Sequence, residues 1–171
     1  QVVSGGILET GLKAMLERCL VDDPALSSRF LGQNGSVGAF GAQVNLAYLI
    51  GLIGRDARDD LAKIAVIRNA FAHQPKGLAF SASPIREHCR DLRLPDHHTR
   101  DCGDNPADAL LIHSEHQGRV IQLGLDIGRR DERITEPRWR FEVTVQLLHF
   151  LLKRTSPRRP ASISPSAAWE T

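Results

Sequence analysis

An arginine, an asparagine and a histidine lie close together in the segment RNAFAH, residues 68–73. Cleavage of RNA without a metal ion requires a base for the ribose 2′-hydroxyl, an acid for the leaving oxygen and a cation for the phosphate. Imidazole exchanges protons near neutral pH, so His73 can do the proton transfer, and the planar fork of Arg68 fits phosphate oxygens. With Asn69 in support, the segment has the residue types for phosphodiester cleavage.

The helical repeat limits this chemistry. The apolar spacing of the preceding residues predicts that the segment ends a core helix, which Pro75 stops. At about 100° per residue, Asn69 and His73 share a face, while Arg68 lies roughly 140° round from His73. Arg68 would reach the same cleft only by its length, by fraying of the helix or from a second subunit. In the structural alternative, Arg68 and Asn69 bond neighbouring carboxylates or backbone and His73 caps the helix.

Apolar spacing along the chain predicts an all-α fold, a single helical bundle of about five or six helices. A shorter helix is expected after Ser83, which is a candidate N-cap. The core stripes are predicted at 7–20, 40–53, 57–73 and 139–152.

The predicted domain covers residues 1–154, and the Pro- and Ser-rich residues 155–171 are predicted to form a flexible tail. Residues 95–137 are a poorly defined insert, in which the apolar runs ALLIH and RVIQLGLDI fit either a helix or a small hairpin. Because the chain opens on a helical pattern, we expect the natural protein to begin upstream of residue 1.

Composition indicates an ordinary globular domain. The chain has 171 residues, of which 42% are hydrophobic and 25% charged, enough for one core. A formal charge of +2 gives no strong attraction to nucleic acid. Three cysteines in no regular spacing do not form a disulfide framework, and no apolar run is long enough to cross a bilayer. We therefore expect a cytoplasmic protein with no membrane association.

Two further segments contain residue types that occur in binding sites. EHCRDLRLPDHHTRDC contains histidines and cysteines, but without a CxxC pair or another standard zinc spacing, so no metal site is predicted. GQNGSVGAFG contains glycines that would expose backbone amides to an anion, but it follows no clear strand and lacks a Lys-Ser or Lys-Thr pair. It is predicted to be a tight turn that allows close helix packing, and no cofactor is expected.

The order of several segments resembles the mannitol operon repressor family of bacterial regulators: NGSVGAFGAQVNLAYLIGLIG, an acidic helix, IRNAFAH, LAFSASPI and RWRFEVTV. The resemblance covers most of residues 1–154 and is sharpest from Gly35 to Ile85. It implies an all-helical domain that takes part in transcriptional repression through contacts with another protein or as a homodimer, without sequence-specific reading of DNA. Where relatives tend to carry basic residues after the Gly-rich loop, this chain has Gln43 and Asn45.

RNAFAH is also similar to the Arg-x4-His motif of the HEPN (higher eukaryotes and prokaryotes nucleotide-binding) superfamily. Many members are metal-independent ribonucleases or toxins, and others are inactive helical scaffolds. This resemblance implies that Arg68, Asn69 and His73 would be the catalytic residues, that RNA would be the substrate and that two such helices would face each other in a dimer. The leading hypothesis from the sequence is the non-enzymatic regulator, and the ribonuclease is the alternative.

Overall fold

The computed structural model describes residues 4–20, 22–73, 77–98 and 135–155, and the backbone of four short strands between 110 and 125. The helices are α1 (Ser4–Cys19), α2 (Pro24–Leu31), α3 (Phe40–Leu49), α4 (Arg55–His73), α5 (Ser83–Arg90), α6 (Leu94–His98) and α7 (Pro137–Arg154). The strands are β1 (Leu110–Leu111), β2 (Ser114–His116), β3 (Arg119–Ile121) and β4 (Gly124–Leu125).

The fold is all-α, as the apolar spacing predicts. Within the described ranges, every helix except the single turn α6 has eight residues or more, and the longest are α4 with 19 and α7 with 18. The predicted stripes at 7–20, 57–73 and 139–152 are confirmed as α1, α4 and α7.

Helix α7 is the centre of the bundle. It packs against α1, α4, α5 and α6, while α3 packs on α1 and α4. Fully buried leucines and isoleucines from these helices form one hydrophobic core, with Leu12 and Leu16 from α1, Leu61 and Ile67 from α4 and Leu147 from α7. The burial of these side chains is the main force that holds the helices together.

Helix α3 ends earlier than predicted. The sequence stripe at 40–53 suggested a helix through residue 53, but α3 stops at Leu49 and Gly51 adopts a φ of 75°. The Leu52 amide donates to the Ala47 carbonyl at 2.9 Å, and the Gly51 amide donates to the Tyr48 carbonyl at 3.0 Å. These two hydrogen bonds form a Schellman motif, which requires a left-handed residue and therefore favours glycine there.

Two short helices begin with proline in their first turn. Asp23 caps α2, because its carboxylate accepts a hydrogen bond from the Leu26 amide at 2.9 Å. The prediction of Ser83 as the N-cap of α5 is wrong by one residue, since Ala82 holds that position. Ser83 is the first helical residue, and its hydroxyl donates to the Glu87 carboxylate at 2.6 Å.

The described backbone of the predicted insert forms antiparallel strands, which agrees with the hairpin alternative. Strand β2 pairs with β3 and strand β1 pairs with β4, both antiparallel. The insert is predicted to begin at residue 95, but Pro95 is buried and belongs to α6. The rest of the insert, the tail from residue 156 onward and residues 1–3 lie outside the described residues.

No helix in the described part of the chain is long and apolar enough to cross a membrane.

Candidate functional site

Arg68 lies where three helices meet. Its guanidinium bonds the carboxylate of Glu9 on α1, and its Cζ atom is 5.8 Å from the centroid of the Phe40 ring at the start of α3. The Arg68 side chain is 24% exposed and that of Glu9 is 44% exposed, so the pair is at the rim of the core. Arg68 therefore connects α4 to both α1 and α3.

The helical repeat explains why Arg68 points toward α1. Leu61 lies two helical turns before Arg68, and Ile64 lies one turn before it. Because both are buried, Arg68 is on the core side of α4. The apolar stem of an arginine can lie along such a surface while the charged head reaches the rim. On α1, Glu9 follows buried Leu8 and meets the guanidinium at that rim.

Asn69 and His73 are on the outer face of α4. Both side chains are exposed, and among the described residues neither makes a side-chain hydrogen bond. Val66, one turn before Asn69, is 49% exposed on the same face. The structure thus brings Asn69 and His73 to one face and turns Arg68 toward α1, and the catalytic use of the three residues stays a prediction.

A groove lies on another part of the surface, between α2 and the Gly-rich loop at residues 32–39. Its volume is about 550 Å³, and it is lined by Leu26, Arg29 and Phe30 from the helix and by Gln33, Asn34 and Ser36 from the loop. None of the three residues of the Arg-Asn-His motif lines it.

Internal hydrogen bonds fix the loop wall of this groove. The Gly35 amide donates to the Gly32 carbonyl at 2.8 Å, and the Gly38 amide donates to the Gly35 carbonyl at 3.0 Å. The buried amide of Gln43 donates to the Leu31 carbonyl at 3.1 Å. These loop amides are directed at protein carbonyls, so the segment is a tight turn, as predicted, and the side chain of Gln43 holds its end in place.

Glycine is required at the narrowest point of the turn. A Cβ atom on Gly38 would overlap the Gly32 carbonyl oxygen and lie 2.7 Å from the Gln33 carbonyl oxygen. We expect Gly38→Ala to lower the free energy of unfolding by about 2 kcal/mol, because backbone atoms must shift to accept the methyl group. Gly41→Ala is the matched control: nothing lies within 4 Å of its Cβ position, and alanine favours the helix. Equal midpoints for both variants in urea unfolding would contradict this account.

The sequence reading missed a buried polar network at the junction of α4, α6 and α7. The Arg140 guanidinium donates to the carbonyls of Cys89 and Leu92 and pairs with both carboxylate oxygens of Asp96, at 2.8 and 2.9 Å. The Asp60 carboxylate, which is fully buried, accepts from the Arg93 amide at 3.0 Å and the Leu94 amide at 2.9 Å.

The sequence positions of Asp60 and Arg140 indicate that both side chains are buried. Asp60 is one of the acids near the start of α4, but it lies between Ala57 and Leu61 on the apolar stripe. Arg140 lies between two aromatic residues, Trp139 and Phe141, both of which are buried. A charged residue at a core position of a helix indicates a buried partner, since an isolated buried charge is very costly.

A second cavity, of about 680 Å³, lies beside this network. Its charged lining residues balance: the basic residues are Lys63, Arg90 and Arg93, and the acidic residues are Asp59, Asp91 and Asp96. Several of them already pair within the chain, as Arg93 does with Asp56 at 3.1 Å. The cavity therefore has no net charge that would select an ionic ligand.

The described residues contain no group of three or more His, Cys, Asp or Glu side chains that could hold a metal ion. Burial raises the pKa of the Cys89 thiol to about 11, with a further contribution from the negative charge of Glu136. A thiol with such a pKa stays protonated at neutral pH, whereas the thiolate is the form that binds metals. Cys102, from the candidate zinc segment, lies outside the described residues.

Comparisons with known proteins give no match: no family model, no curated protein and no solved structure matches the chain. The two resemblances drawn from sequence motifs therefore stay predictions.

Proposed function

We propose that the protein is a non-enzymatic bacterial regulator, similar to the mannitol operon repressor family, that acts by binding another protein or a second copy of itself. One observation carries this proposal: the only arginine of the Arg-Asn-His motif is already used by the fold. Its guanidinium bonds Glu9 and lies near the Phe40 ring, which connects three helices. This structural role accounts for the arginine of the motif without any catalytic activity.

The distribution of charge also supports protein contacts over direct reading of DNA. Lys and Arg number 22 against 20 Asp and Glu, so the chain has little net attraction for phosphate backbones. Several exposed arginines of the bundle are paired with acids, as Arg138 is with Glu142 at 2.8 Å and Arg93 is with Asp56 at 3.1 Å. A protein that reads DNA usually presents a concentrated basic face instead.

The proposal is tested by incubating tagged wild-type protein with an extract of the source cells and, in parallel, with labelled RNA in EDTA. A regulator is expected to retain a defined protein through a salt wash, or to sediment as a dimer, and to leave the RNA intact. Monomeric protein that retains no partner and cleaves RNA would refute the proposal.

The structural role of Arg68 gives a separate prediction. Arg68→Ala is expected to lower the free energy of unfolding by about 1 kcal/mol, because a partly exposed ion pair and a cation–π contact are lost. In a double-mutant cycle with Glu9→Gln, the two residues should couple by about 0.5 kcal/mol. Additive effects, with no coupling, would show that the pair does not stabilise the fold.

The ribonuclease is a second candidate, favoured by the exposure of Asn69 and His73 on one face of α4. In this alternative, His73 moves the protons and Arg68 binds the phosphate, which must compete with the Glu9 carboxylate. Glu9→Gln would remove that competitor. The ribonuclease alternative therefore predicts faster RNA cleavage by Glu9→Gln than by wild type, whereas the regulator predicts none from either protein.

A further inference from the structure

The groove between α2 and the Gly-rich loop has features of a binding surface that the Arg-Asn-His motif does not explain. Leu26 is 56% exposed and Phe30 is 37% exposed. Since they are four residues apart on α2, their side chains lie on one face of that helix. Two large apolar side chains in water beside a cavity form a surface that a partner can cover.

The polar residues of the groove define what that partner must carry. Arg29 is the one charged residue in its lining, and it makes no ion pair or side-chain hydrogen bond within the described part of the chain. An unpaired guanidinium beside apolar surface favours a carboxylate, which it can bind through two parallel hydrogen bonds. The side chains of Gln33 and Asn34 add donors and acceptors along the opposite wall.

The rigidity of the loop wall lowers the cost of binding. Gly32, Gly35 and Gly38 pack so closely that a Cβ atom on any of them would overlap a carbonyl oxygen. Buried Gln43 fixes the end of this segment through its bonds to the carbonyls of Leu31 and Gly38. A wall that is already ordered loses little entropy when a ligand binds.

We propose that this groove binds a short acidic segment of another protein, with a large apolar side chain placed against Leu26 and Phe30 and a carboxylate on Arg29. The inference rests on the proposed function, because it supplies the kind of partner that a regulator acting by protein contacts would bind. A nucleic acid strand fits less well, since single-strand binding grooves combine aromatic platforms with several basic residues along the backbone path.

The test is selection of a random-peptide display library on the wild-type protein, followed by titration of the enriched peptides. We expect enrichment of sequences that combine acidic and large apolar residues. Arg29→Glu should weaken their binding by about tenfold or more, because the charge-assisted hydrogen bonds are lost and a repulsive charge is added. Arg86→Glu is the matched control, since Arg86 is exposed on α5 and does not line the groove.

Either of two results would overturn the assignment: no acidic and apolar consensus is enriched, or the enriched peptides bind Arg29→Glu as tightly as wild type. A labelled RNA oligonucleotide that binds wild type but not Arg29→Glu, with no peptide enriched, would overturn it as well. Wild-type protein that retains a partner from extract and leaves RNA intact keeps the proposed function even if the groove assignment fails. RNA cleavage by wild type refutes the proposed function and leaves the peptide titration as a separate result.

Discussion

Replacing Arg140 by methionine is expected to lower the free energy of unfolding by about 4 kcal/mol, since the donors of a buried network are removed. Methionine keeps much of the apolar stem, so the loss comes mainly from the guanidinium. The carbonyls of Cys89 and Leu92 would lose their hydrogen bonds to the guanidinium, so that Cys89 keeps the bond from the Leu92 amide at 3.3 Å, and Asp96 would lose both of its hydrogen bonds to Arg140. The connection between α7 and the α5–α6 segment is therefore the part most affected.

Arg138→Met is the matched control for this experiment. Arg138 lies two residues earlier on α7, but its side chain is 66% exposed and pairs with Glu142 on the same helix. An exposed pair of this kind contributes little, because water and salt screen it. Urea unfolding of the two variants measures the difference. If Arg140→Met is no less stable than Arg138→Met, the buried network does not support the fold.

Asp60→Ala is expected to lower the free energy of unfolding by about 3 kcal/mol, because the buried amide of Leu94 and the partly buried amide of Arg93 lose a charged acceptor. The amide of Arg93 donates to both carboxylate oxygens at 3.0 Å, and the amide of Leu94 donates to one of them at 2.9 Å. These bonds hold the start of α6 on α4, so the variant should also increase hydrogen exchange at Leu94. Asp59→Ala is the control, since the Asp59 side chain is 30% exposed and its ion pair is with neighbouring Arg58. Equal stability of the two variants would contradict the role given to Asp60.

The Asp60 carboxylate also makes the free energy of unfolding depend on pH, in a direction that follows from its pKa. Burial raises the pKa of Asp60 above its ordinary value of 3.8, and the amides of Leu94 and Arg93 together with Lys63 offset this only in part. A group whose pKa is raised by folding adds stability below its unfolded pKa and loses it as the pH rises through the folded pKa. The free energy of unfolding of wild type minus that of Asp60→Asn should therefore be larger below pH 3.8 than at neutral pH. A difference that grows as the pH rises would contradict this sign.

Much of the fold follows from local patterns in the sequence. The spacing of apolar residues predicts α1, α4 and α7 because each helix buries one stripe in the shared core. The apolar pattern does not predict where α3 ends. Apolar residues continue to Ile53, and the stripe alone does not show that Gly51 turns the chain at a φ of 75°.

The contacts that join distant parts of the chain could not be predicted. Glu9 and Arg68 are separated by 59 positions, and Arg140 and Asp96 by 44. Each of these pairs depends on how two helices pack, which no local pattern encodes. The sequence shows that Arg68 and His73 are on different sides of α4, but the carboxylate that occupies Arg68 is visible only in the folded chain.

The central claim, that the Arg-Asn-His motif belongs to a regulatory fold, is tested most directly by RNA cleavage. Purified wild type, His73→Ala and Glu9→Gln would each be incubated with a labelled mixed-sequence RNA in the presence of EDTA. We predict that none of the three proteins cleaves the RNA and that His73→Ala changes the melting temperature only slightly. Cleavage by wild type, lost in His73→Ala, increased in Glu9→Gln and leaving cyclic-phosphate ends, would contradict this account and identify α4 as part of a ribonuclease active site.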